Sequence, residues 1–142
     1  MNVEERNIAA ISHLGAIIPL FGLFVVFLSF LSRKEKSPEF QFQLLQAFVF
    51  QLIELLFVIF MVLLYLLGIF GSLLFSTFLP NTGQPFLTAI FPLIVSILFF
   101  AGIFIFISFS GIAAINLLSN KDFHFPFISF FLKKHFENSS KT

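Results

Sequence analysis

Of 142 residues, 58% are apolar and 11% charged, against roughly 45–50% and 25% in soluble domains, so lipid is the solvent this composition suits. A formal net charge of +1 without a basic cluster leaves no electrostatic footprint for nucleic acid. The absence of cysteine excludes disulfides, thiolate metal sites and cysteine nucleophiles.

The chain opens on Asn2, Glu4 and Glu5, a helix start in which a side-chain cap and early acids meet the free amides and positive dipole end. A secretory leader needs a basic beginning and a small-residue cleavage site. Met1 to Asn7 is net acidic instead, so this segment is expected to be retained. The purest part of the first apolar block, 14–31, has the length to cross a hydrocarbon core of about 30 Å. His13, at its edge, suits an interfacial hydrogen bond better than metal ligation. Gly15, Gly22 and Ser29 recur every seven residues as a candidate packing seam, and Pro19 is a candidate kink.

After the charged turn Arg33-Lys34-Glu35-Lys36, the second block (44–79) would be about 50 Å long as one helix, too long for an upright crossing. Gly68 and Gly71 are the expected break points, which places the crossing at 48–67. The third block (86–118) has the same excess, with a crossing expected at 93–111. Ser108, Gly111 and Ala114 supply a second candidate seam there. The tail, 120–142, is rich in Phe and carries Lys133 and Lys134, which suits an interfacial segment. The fold class is therefore an all-α integral membrane protein, a single membrane domain over 1–142, with three long transmembrane helices and interfacial extensions.

With three crossings, the first loop and the tail share one face and carry seven lysines and arginines, while the other face carries only Arg6. The positive-inside rule then puts the loop and tail in the cytoplasm and the N-terminus outside. The predicted location is a cell membrane.

Glu54 is the one ionisable acid between Leu45 and Leu118. At 100° per residue it shares a stripe with Gln43, Ala47, Phe50, Met61, Tyr65 and Gly68, flanked by Gln46 and Gln51. Lipid offers amide and carboxyl groups no partners, so Gln43, Gln46, Gln51, Glu54 and Tyr65 form a candidate helix-contact face or, alternatively, a proton site. The three histidines fall on opposite faces, and neither a metal site nor a cofactor is expected. No triad, carboxylate pair, Walker loop or dinucleotide fingerprint is present, so catalysis is not expected.

Three stretches carry a family resemblance: Ile8-Ala9-Ala10-Ile11-Ser12-His13-Leu14 leading to Pro19-Leu20, Ser37-Pro38-Glu39-Phe40-Gln41-Phe42-Gln43-Leu44-Leu45-Gln46-Ala47-Phe48, and Gly111-Ile112-Ala113-Ala114-Ile115-Asn116 before Phe125-Pro126-Phe127-Ile128. In order, they resemble small bacterial membrane proteins of the Tic-twenty-like family, related to a chloroplast inner-envelope translocon subunit. The resemblance implies a small helical membrane domain. Three functions remain open: an accessory or assembly subunit contacting other membrane proteins or itself within the bilayer, a protein-translocation component, or a small-solute or proton transporter using Glu54.

Overall fold

The computed structural model describes residues 1–31, 37–78 and 90–139. Five α-helices occur among them: α1 (Val3–Leu14), α2 (Pro19–Leu31), α3 (Pro38–Phe78), α4 (Phe91–Leu118) and α5 (Pro126–Ser139), with a 3-10 turn at Gly15–Ile17. Two compact units divide the chain, one of residues 1–55 and 106–142, the other of residues 56–105.

Local chemistry sets the helix ends. Asn2 caps α1 through a reciprocal pair: its side chain accepts from the Glu5 amide at 2.8 Å, and Glu5 Oε2 accepts from the Asn2 amide at 2.9 Å. Ile18 leaves helical geometry at φ −134°, ψ 89° because Pro19 disfavours the α region in the residue before it. Pro19 then starts α2, where its missing N–H costs nothing. Ser37 and Pro38 repeat the device, with the Ser37 hydroxyl accepting from the Phe40 amide at 3.2 Å. Asn120, at φ 60°, ends the turn after α4, and the Lys121 amide reaches back to Asn116 O at 2.9 Å.

The first apolar block is therefore not one long helix, which corrects the expectation of three. The chain breaks at Ile18 and restarts as a helix at Pro19 rather than kinking there, and α1 and α2, of 12 and 13 residues, pack against each other. Gly15 and Gly22 face each other so closely that a Cβ on Gly22 would collide with Gly15 O, and the Gln51 side chain of α3 lies against both. Ser29, the third residue of the expected seam, turns its hydroxyl back to Val25 O at 2.8 Å.

Two helices are long and apolar enough to cross a membrane, over Pro38–Leu74 and Phe91–Leu118. Only 17% and 11% of their most apolar windows are buried within the protein, whereas the core helix of a soluble protein is mostly covered. The expected break at Gly68 and Gly71 is absent, and α3 runs through both. A glycine inside a helix costs about 1 kcal/mol, less than freeing backbone groups in lipid, each worth several kcal/mol.

In the first unit, Ala9, Ala10, Val26, Phe40, Leu44, Ala47, Ala114 and Leu117 form one core cluster. Ala16, Phe50, Ala113 and Phe125 form a second. In the other unit α3 and α4 run antiparallel. A Cβ on Gly102 would meet the Phe57 ring and one on Gly68 the Phe91 ring, so each glycine is a seat for an aromatic side chain. Met61 and Val95 are buried between the two helices, beside a groove of about 260 Å³ that Tyr65 and Phe99 also line.

Candidate functional site: a buried polar seam

Along the first half of α3, Gln43, Gln46, Gln51 and Glu54 are each at most 2% exposed. They lie on the side of the helix that also buries Leu44, Ala47 and Phe50. Tyr65 does not join them: it is 41% exposed and belongs to the other unit, so the predicted stripe ends before it as a polar feature.

Each glutamine has a defined task. Gln43 Nε2 donates to Phe123 O at 2.9 Å and Gln46 Nε2 to the same oxygen at 3.4 Å. Gln46 Oε1 accepts from the Phe125 amide at 2.9 Å. The segment between α4 and α5 is thereby held to α3 through its backbone. Gln51 Nε2 donates to Ser12 O at 2.6 Å, and Ser110 Oγ donates to His13 O. The close approach of Gly15 and Gly22 gives Gln51 access, since a Cβ on either would lie within 3 Å of its Nε2.

Aromatic rings close the seam. Phe125 stacks on Phe50 with centroids 4.3 Å apart and planes at 14°. His13 lies against the edges of Phe123 and Phe125, with centroids 6.4 and 5.6 Å away. His13 is only 1% exposed, enclosed by these rings and the Gln43 side chain within the protein rather than at an interface. Ser12 Oγ, Gln51 Oε1 and Glu54 Oε2 are buried without a hydrogen-bond partner. Such atoms cost about 1–3 kcal/mol each unless water or a proton reaches them. The seam thus ties helices together through the backbone groups that its amide side chains engage. Among the described residues no three His, Cys, Asp or Glu side chains converge as metal ligands.

At the outer end of α1, the Glu5 carboxylate accepts from the Ser37 amide and hydroxyl, both at 3.1 Å. Burial pushes its pKa up, but the Ser37 and Asn2 amides and the Ser37 hydroxyl outweigh burial and hold it below the usual value. Arg6 lies 3.6 Å from Asp122.

Of the second candidate seam, Ala114 is buried and Ser108 half-buried, while Gly111 has nothing within 4 Å of its Cβ position. The buried face of α4 at this end is instead Ser110, Ala113, Ala114 and Leu117. Ser12, Ser110 and Phe125 were the residues sequence reasoning missed. Their signals were faint: one serine beside a histidine, one at helical spacing from an alanine pair, and one phenylalanine among many.

A family model for the MamF and MmsF proteins, described as the magnetosome magnetite crystal formation protein family, matches residues 4–132. The chain belongs to that family. This overturns the Tic-twenty-like resemblance, which rested on three short stretches, whereas the model spans most of the chain and includes every residue of the buried seam. The translocation reading falls with it. Comparison with curated proteins and with solved structures finds no match. The chain is a small membrane protein of this family, with α3 and α4 as its long apolar helices.

Proposed function

We propose that this chain is a non-enzymatic, multi-pass component of the magnetosome membrane that supports magnetite crystal formation as an accessory or assembly subunit. It works through helix contacts with other membrane proteins or further copies of itself. The family match over residues 4–132 carries this reading. The seam agrees with it: the amide groups of Gln43, Gln46 and Gln51 are engaged with backbone groups of the same chain, which is an architectural use of polar side chains. Large apolar residues such as Phe60, Leu67, Phe70 and Leu93 are exposed to lipid or to another helix. The first loop and the tail face the cytoplasm on this reading, because they carry most of the positive charge.

In magnetosome-forming cells lacking the chain, returning it should restore crystal size and number in electron micrographs. Gentle detergent extraction should also recover a stoichiometric membrane partner or a homo-oligomer. Unchanged crystals in its absence would refute the mineral role, and a lone monomer would refute the subunit role.

A second reading makes Glu54 a proton or cation site, favoured by its buried, unpartnered Oε2. Glu54→Gln separates the two. On the first reading assembly and crystals are unchanged, and on the second an ion flux in proteoliposomes is lost while assembly survives.

A further inference from the structure

At 1.5 Å per residue, α1 and α2 are about 18 and 20 Å long, each short of the roughly 30 Å hydrocarbon core. The outer end of α1 is tied to the start of α3, where Ser37 donates twice to Glu5. Arg6 and Asp122 meet at the same end. The inner ends of α1 and α2 meet at Gly15 and Gly22, beside the Gln51 amide. Gln51 stands about 20 Å along α3 from Pro38, and α3 continues for about 40 Å beyond it. The pair α1–α2 therefore turns back part-way along a helix that is itself long enough to cross.

We propose that α1 and α2 form a half-membrane hairpin, entering and leaving by one face, and that with α5 it loads a single leaflet. The partner this shape fits is a strongly curved lipid surface with anionic headgroups on its convex side. In a full crossing over 14–31, Glu5 and Ser37 would lie on opposite faces, which their hydrogen bonds do not permit. The hairpin brings the N-terminus to the face of the first loop and tail.

Charge supports the assignment. Arg33, Lys34 and Lys36 stand in sequence between Leu31 and Ser37, Arg6 lies on α1, and Lys121 follows α4. With Lys133, Lys134 and Lys141, all eight basic residues then belong to one face, a more complete asymmetry than three crossings allow. Against these eight bases the same face carries six acids, Glu4, Glu5, Glu35, Glu39, Asp122 and Glu137, so its net charge is +2 and its pull on anionic headgroups is modest.

The shape supplies the rest. Phe21, Phe24, Phe27, Leu28 and Leu31 are exposed along α2. On α5, Phe127, Phe130 and Phe131 are exposed, while Phe125, stacked on Phe50 and bonded to Gln46, pins its start to α3. Each helix is about 10–12 Å across, so the hairpin and α5 add area to one leaflet and none to the other. A convex leaflet, whose headgroups are spread apart, accepts such apolar wedges best.

The chain has no native cysteine, so single-cysteine variants can be read directly. In right-side-out and inverted membrane vesicles, Asn2→Cys and Glu35→Cys should react with an impermeant thiol reagent from the same side, and Asn81→Cys from the other. The fluorescent full chain, reconstituted into anionic phospholipid vesicles about 50–200 nm across, should reach a several-fold higher density per membrane area in the smallest. Gly22→Leu, which forces the hairpin open, should lose that preference. Labelling of Asn2→Cys and Glu35→Cys from opposite sides would overturn the hairpin, and equal density across vesicle sizes would overturn the wedge. Neither readout involves mineral, so failure here is distinct from failure of the magnetite role.

Discussion

Replacing Gln46 by Leu keeps most of the side-chain volume and removes both hydrogen bonds that the amide makes to the segment between α4 and α5. The two losses are unequal. Phe123 O keeps the shorter bond from Gln43, at 2.9 Å, when Gln46 goes. The Phe125 amide loses its acceptor at 2.9 Å, in a residue only 4% exposed. A buried donor left without an acceptor costs about 1–3 kcal/mol, so about 2 kcal/mol is expected, roughly thirtyfold in a local opening equilibrium. Gln43→Leu is the matched comparison: Phe123 O retains Gln46 at 3.4 Å, and the cost should fall near the 0.6 kcal/mol average of hydrogen bonds in membrane proteins, about threefold. Amide hydrogen exchange on the full chain in lipid, followed in a peptide covering 119–130, reads both. If Gln46→Leu exchanges no faster at Phe125 than Gln43→Leu, the seam does not hold this segment as argued.

Gly22→Ala should lower thermal stability by about 1–3 kcal/mol, because its Cβ would press on Gly15 backbone atoms that cannot swing aside; Gly111→Ala, with open space at its Cβ, should be neutral or slightly stabilising. For Glu5 the folded-state pKa is depressed, so its contribution is fully present above the unfolded value of 4.5 and is lost as pH falls through the lower folded value. Accordingly, thermal stability of the full chain should drop on acidification below about pH 4.5, and Glu5→Gln should flatten that part of the profile.

The membrane class, the helical content and the polar face of α3 were legible in the chain because each rests on local composition or a 3.6-residue period. Gln43, Gln46, Gln51 and Glu54 read as one stripe for that reason. The capping of α1 by Asn2 was equally local. Family membership was not legible: short matching stretches pointed to the wrong family, and only a model spanning residues 4–132 corrected it.

What the tertiary structure decided was how apolar segments of similar hydropathy are used. Residues 14–31 and 48–67 look alike as greasy runs, yet Pro19 and the Gly15–Gly22 contact fold the first onto itself while α3 passes straight through Gly68 and Gly71. Hydropathy records how much a segment prefers lipid and nothing about where it turns. That is set by pairings distant in sequence, such as Glu5 with Ser37, Gln51 with Ser12 and Ser110 with His13, which no periodicity encodes.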